Sequence, residues 1–133
     1  MQQSSRPVIV IPGDDPVQVA GSPHLERLRP YGEVVLHRDR PADDAEKMRR
    51  VAQAEVLINS RSAVKWPENL LRQLPKLRFI TVCGIGTDAV DLDAARALGI
   101  VVSNIPGKTA AIVAEHALAL LLAAARRLSE QTT

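Results

Sequence analysis

The sequence is poor in cysteine and in aromatic residues. Cys83 is its only cysteine, so an intramolecular disulfide and a metal cluster built on cysteines are excluded. One Trp, one Tyr and one Phe are too few to stack the bases of a single-stranded nucleic acid. The formal net charge is only +2 and the basic residues are scattered, which does not suit a phosphate-binding stripe. We therefore expect no nucleic-acid partner.

Long apolar runs are also missing. The N-terminus has no apolar segment long enough for a signal peptide. The most apolar stretch, AIVAEHALALLLAAA, is interrupted by Glu115 and His116 and is too short and too polar to cross a bilayer. A single cysteine suits a reducing compartment. We therefore predict a soluble cytoplasmic protein without a membrane partner.

What the sequence does contain is an alternation of short β-branched runs with helical segments, in a length of 133 residues that suits one domain. Strands are predicted at 8–13, 33–37, 54–60, 77–83 and 100–104. Helices are predicted at 22–28, with Ser22 as N-cap, and at 43–53, 67–74, 91–99 and 109–128. This alternation implies a parallel sheet covered by helices. We predict an α/β fold, an open parallel sheet of about five strands with helices on both faces, plus a long C-terminal helix.

The segment GIGTDA, residues 84–89, follows a predicted strand and allows three interpretations. It fits G-x-G-x-x-A, a loose dinucleotide fingerprint, but that fingerprint needs an acid about twenty residues on, where Ser103 and Asn104 lie instead. Aspartates at 88, 91 and 93 would also repel a pyrophosphate from the next helix. Alternatively, a tight turn needs the backbone freedom of glycine. Third, the backbone N–H groups form a small nest sized for one carboxylate.

Polar residues or glycines follow three of the predicted strands. They are Asn59-Ser60-Arg61, Gly84-Ile85-Gly86 and Ser103-Asn104. In open α/β sheets, ligands bind beyond the carboxyl ends of the strands. Arg61 has the planar guanidinium that pairs with a carboxylate, although an ordinary surface arginine is an equal alternative. The sequence thus favours a small-anion site at this edge of the sheet.

Three segments resemble the D-isomer-specific 2-hydroxyacid dehydrogenase family, most of all its phosphoglycerate dehydrogenase-like branch. They are NSRSAV, LPKLRFITVCGIGTDAVDLDAARALGIVVSNIPG and TAAIVAEHALALLLAAARRL, in the family's order. The resemblance implies an oxidoreductase with two flavodoxin-like or Rossmann-like domains, one for substrate and one for NAD(H) or NADP(H). It implies a substrate-binding α/β domain at residues 1–108, followed at 109–133 by a crossing helix and a tail.

The same resemblance implies the residues of the site. Ile85 and Gly86 would offer backbone N–H groups to a substrate carboxylate, and Ile85 would also lie near the nicotinamide. Arg61 would help to bind the substrate, and Asn104 would line the cleft. The ligand implied is a small 2-hydroxy or 2-oxo carboxylate.

In the family, the cofactor loop and the catalytic arginine, acid and histidine follow the crossing helix. No counterpart occurs before Thr133, and His116 belongs to the helix motif AEH, which suits packing or an interface. We therefore expect no catalytic residue, no dehydrogenase activity from these residues alone and no tight binding of NAD or NADP. The alternative is a stand-alone module that binds a small carboxylate or oligomerises, without catalysis.

Two further expectations concern partners. The three histidines lack any spacing typical of metal ligands, so no metal site is predicted. The final helix is apolar around most of its circumference and must be covered on most sides. We expect one face to pack on the sheet and another, with Leu118 and Leu121, to form a homodimer.

Overall fold

Five parallel strands form one sheet in the computed structural model, which describes residues 6–107 and 109–128. The strands are β1 (Val8–Ile11), β2 (Glu33–Leu36), β3 (Val56–Asn59), β4 (Phe79–Val82) and β5 (Val101–Ser103). Their order across the sheet is β2-β1-β3-β4-β5, with every neighbouring pair parallel. The predicted α/β fold and its five strands are confirmed. Residues 129–133 of the predicted tail lie outside the described residues.

Four α-helices connect or follow the strands: α1 (Asp44–Val51), α2 (Glu68–Leu71), α3 (Leu92–Ala97) and α4 (Ala110–Ala125). Side-chain caps begin two of them. Asp43 accepts from Glu46 N–H at 2.7 Å, and Asp91 accepts from Ala94 N–H at 3.0 Å. Gly99, with φ of 71°, ends α3 in the left-handed conformation that glycine adopts readily.

Strand order decides which face each connection covers. The step from β1 to β2 runs one way along the sheet and every later step runs the other way. Because crossovers are right-handed, α1, α2 and α3 lie together on one face. They enclose a core centred on the fully buried Trp66 and including Val10, Val51, Leu57, Leu71, Ile80 and Ala95. Burial of each large side chain contributes roughly 1.5–3 kcal/mol.

The opposite face is covered differently from the prediction. The helix expected from Ser22 to about Leu28 is only a 3₁₀-helix, Glu26–Leu28, preceded by turns. Ser22 accepts from His24 N–H at 3.2 Å within a local turn and caps no helix. The backbone bonds of this segment join residues three apart, as from Leu25 N–H to the Ser22 carbonyl and from Leu28 N–H to the Leu25 carbonyl, which is the 3₁₀ pattern and not the α-helical one. A small cluster still forms there from Ile9, Ile11 and Ile58 with Val19, Leu25 and Leu28.

The helix α4 extends away from the sheet. All of its residues are exposed except the partly buried Ala123, and Leu118 and Leu121 are 56% and 64% exposed. The expectation that one of its faces packs on the sheet is therefore wrong. None of the described helices has the length and apolar character needed to cross a membrane.

Candidate functional site

A cavity of about 480 Å³ lies at the carboxyl ends of the strands. Its wall combines the loops after β1, β3 and β4 with the segment after β5. Arg61, Ile85 and Gly86 all line it, so three of the four predicted binding residues share one cavity. Asn104 does not line it. These loops lie close together because the strands are parallel, which places all their carboxyl ends at one edge of the sheet.

The turn at residues 84–86 lines this cavity and contains two unpaired N–H donors. Asn104 Nδ2 donates to the Ile85 carbonyl at 2.7 Å, and Ile105 N–H donates to the Gly84 carbonyl at 2.9 Å. No described residue accepts a hydrogen bond from the N–H of Ile85 or of Gly86. The turn is therefore anchored through its carbonyl groups while two N–H groups stay available. Such a pair suits the oxygens of one small anion.

The glycines of this turn are not there for backbone freedom. The described glycines with positive φ are Gly21, Gly99 and Gly107, and neither Gly84 nor Gly86 is among them. The interpretation as a turn that requires unusual glycine dihedrals is thus wrong. A Cβ at Gly86 would lie 3.0 Å from Asp88 Oδ2, the end of an exposed side chain that can move aside, so space does not require glycine there either.

The same region does not fit the pyrophosphate of a dinucleotide. Asp91 already accepts a hydrogen bond from Ala94 N–H, in the first turn of α3. The Asp88 carboxylate lies against Gly86. A pyrophosphate at the start of α3 would meet the carboxylates of Asp88 and Asp91, and Asp91 already takes one of the N–H groups that would bind it.

Arg61 has an unusual backbone conformation. Its φ is 52°, in the left-handed region that costs a non-glycine residue roughly 1–2 kcal/mol. Asn59 Nδ2 holds this loop by donating to the carbonyls of Arg61 at 3.1 Å and Val64 at 3.0 Å. Trp66 Nε1 in turn donates to Asn59 Oδ1 at 3.3 Å. The exposed Arg61 guanidinium has no hydrogen-bond or ion-pair partner in the described part of the chain.

Two residues that the sequence-based search missed complete the site. Asp14, fully buried, accepts from the N–H groups of Gln18 at 2.9 Å and Ala20 at 2.7 Å, from Val19 N–H, and from Ser60 Oγ at 3.1 Å. Gln18 lines the cavity. Burial by itself would raise the pKa of Asp14, but the hydrogen bonds from Ala20, Gln18, Val19 and Ser60 outweigh it, and the pKa is lowered. Asp14 directly follows the predicted strand 8–13 and lies three residues after the end of β1, so the carboxyl-edge rule applied to that strand would have found it.

The remaining polar features of the described chain do not form sites. Cys83 is half-buried, and burial together with the negative charge of Asp14 raises the pKa of its thiol, so the thiol is protonated at neutral pH. No group of side chains among the described residues has the composition of a metal site. A larger groove of about 880 Å³ lies at the amino ends of the strands. Several of its basic side chains are already paired, such as Arg50 with Asp39 and Arg29 with Glu26.

Comparison with known proteins now gives the family. Residues 14–132 match the family model described as D-isomer specific 2-hydroxyacid dehydrogenase, catalytic domain. The chain belongs to this family. A D-3-phosphoglycerate dehydrogenase from Mycobacterium leprae is 42% identical over 88 residues, which are 66% of this chain and 16% of that relative. The chain thus spans about a sixth of the length of that dehydrogenase.

Solved dehydrogenase structures share the fold. An NADPH-dependent glyoxylate/hydroxypyruvate reductase from Sinorhizobium meliloti, solved with NADP and malonate, is 34% identical with a TM-score of 0.66. The similarity covers 90% of this chain and 34% of the reductase. A 2-hydroxyacid dehydrogenase from Ketogulonicigenium vulgare is 28% identical with a TM-score of 0.71, over 97% of this chain and 39% of that enzyme.

Proposed function

We propose that this chain is the N-terminal part of the substrate-binding domain of an NAD(P)-dependent D-2-hydroxyacid dehydrogenase, and that it binds the carboxylate of a 2-hydroxy or 2-oxo acid. One observation carries the proposal: the unpaired N–H groups of Ile85 and Gly86 share a cavity with the unpaired guanidinium of Arg61. Family membership supports it, as does the malonate in the related reductase from Sinorhizobium meliloti.

The two N–H groups and the guanidinium have different roles in binding the carboxylate. The N–H groups of Ile85 and Gly86 bind it and fix its orientation, and Arg61 adds a charge-assisted hydrogen bond. Asn104 contributes by holding the Ile85 carbonyl, so that the two N–H groups keep their direction. The cavity is open to water, which limits the affinity to about millimolar, or roughly −4 kcal/mol.

The parent reaction would transfer a hydride between C2 of the acid and a nicotinamide, with Ile85 near the nicotinamide. The described residues do not fit the dinucleotide's pyrophosphate, so no step of that transfer is assigned to them. We expect neither tight binding of NAD or NADP nor dehydrogenase activity from this chain alone. Saturable quenching or enhancement of NADH fluorescence by the chain would contradict this expectation.

The experiment that tests carboxylate binding is an NMR titration of the chain with D-lactate. Amide shifts are expected at residues 84–88 and 59–62, because these surround the three donors. Arg61→Ala should weaken the binding, whereas Arg72→Ala, which removes an exposed arginine outside the cavity, should leave it unchanged. Shifts confined to other regions, or binding unaffected by Arg61→Ala, would refute the proposal.

A second candidate function is a stand-alone module of a cytoplasmic protein that binds small carboxylates or oligomerises, without catalysis. The exposed apolar surface of α4 favours it. Soluble monomers rarely leave an apolar patch of more than roughly 300–600 Å² uncovered. We propose that Leu118 and Leu121 contact a second copy of the chain in a homodimer with two-fold symmetry.

A further inference from the structure

The loop after β1 forms a wall of the cavity that carries no assigned role. This loop runs from Asp14 to Ala20, and Gln18 is its residue in the cavity wall. Gln18 is exposed, and its Nε2 donates to the Val17 carbonyl at 2.9 Å. Among the described residues, nothing donates to Gln18 Oε1. The amide of this cavity-lining residue therefore keeps an acceptor oxygen and a second N–H unpaired.

Asp14 holds Gln18 at that position. A carboxylate that is fully buried is stable only when its oxygens are hydrogen-bonded. Asp14 meets this condition by taking the backbone N–H groups of three successive residues, 18 to 20, which fixes the backbone at Gln18. It also accepts from Ser60, the residue before Arg61, so the same carboxylate joins the Gln18 loop to the Arg61 loop.

We propose that Gln18 selects acids with a hydroxyl group beyond C2, and that Asp14 is the positioning residue that keeps Gln18 in place. This inference rests on the proposed binding of a carboxylate at Ile85 and Gly86. Once the carboxylate is bound there, the part of the ligand that reaches the loop after β1 is the end remote from the carboxylate. A hydroxyl both donates and accepts, so it satisfies the free oxygen and the free N–H of the amide together. A methyl group satisfies neither.

The test compares D-glycerate with D-lactate, which differ by one hydroxyl on C3, by NMR titration of the chain. The wild type should bind D-glycerate on the order of three- to tenfold more tightly, the effect of one net hydrogen bond. Gln18→Leu should abolish this preference, so that D-glycerate binds no more tightly than D-lactate. Gln73→Leu is the matched control, because Gln73 is exposed, bonds to a backbone carbonyl near it in sequence and lies outside the cavity.

Positioning by Asp14 is tested with Asp14→Asn, or with Ser60→Ala if the first variant does not fold. Either variant should reduce the ratio of the two affinities while D-lactate still binds. An unchanged ratio in the folded variant would refute the positioning role. Equal binding of the two acids by the wild type, or a preference that survives Gln18→Leu, would overturn the role of Gln18 and leave the carboxylate site intact. Absence of binding by both acids would instead refute the proposed function, and this inference with it.

Discussion

Arg61 offers a test in which stability and binding change in opposite directions. Its φ of 52° costs a non-glycine residue roughly 1–2 kcal/mol, and glycine adopts that conformation without the cost. Removing this strain by a substitution to glycine is partly offset, by roughly 0.5–1 kcal/mol, because glycine makes the unfolded chain more flexible. Arg61→Gly should therefore raise the free energy of unfolding by up to about 1.5 kcal/mol, with a mid-range value of about 0.75 kcal/mol that corresponds to a rise in Tm of about 2–4 °C. Arg61→Ala keeps the strained φ and should change stability by less than about 0.5 kcal/mol.

The assay is urea unfolding followed by circular dichroism, together with the D-lactate titration. Both variants should lose carboxylate affinity, since both lose the guanidinium. Arg72→Gly is the control, because Arg72 has a φ of −61° and glycine should destabilise the chain there. If Arg61→Gly is no more stable than Arg61→Ala, the left-handed backbone carries no strain and the argument that it is retained for binding fails.

Two other predictions concern acid and assembly. The folded state lowers the pKa of Asp14, so its charge stabilises the fold above the unfolded pKa of about 4, and this contribution is lost as pH falls through the lower folded pKa. Asp14→Asn should therefore destabilise the chain by roughly 1–3 kcal/mol at pH 7 and make the urea midpoint depend less on pH between pH 7 and pH 3. A variant whose urea midpoint depends on pH as steeply as that of the wild type would contradict this. Light scattering over a dilution series should show that the wild type is a dimer and that Leu121→Glu dissociates it. Leu98→Glu is the control and should leave the dimer intact, because Leu98 is exposed but lies outside α4. A wild type that is monomeric at high micromolar concentration would refute the dimer.

Much of the fold was predictable because its signals are local. Short β-branched runs marked every strand, and aspartates at 43 and 91 marked the starts of two helices, where their side chains cap free N–H groups. The α-helix predicted from Ser22 to Leu28 did not form. A serine followed by proline is a helix signal, but Ser22 Oγ accepts from His24 N–H within a local turn, and the backbone bonds that follow join residues three apart, as in a 3₁₀-helix.

The site was predictable only in part, for a related reason. Arg61, Ile85 and Gly86 follow strands, and the parallel sheet places them together. Asn59 and Ser60 follow the same pattern, yet their side chains are buried and bond to Trp66 and Asp14 instead. Polar residues at a strand end can face the solvent or the core, and only tertiary contacts distinguish the two. The predicted roles of Arg61, Ile85, Gly86 and Asn104 in binding remain predictions.

The orientation of β1 determines how this protein can be attached to a surface. The described chain begins at Arg6, at the amino ends of the strands, and the cavity lies at the opposite edge. Strands of four residues separate the two edges by about 13 Å at roughly 3.3 Å per residue. A sensor chip or resin attached at Arg6 would thus leave the carboxylate cavity facing the liquid. Coupling through the thiol of Cys83 would instead turn the cavity toward the chip or resin, because Cys83 lines that cavity.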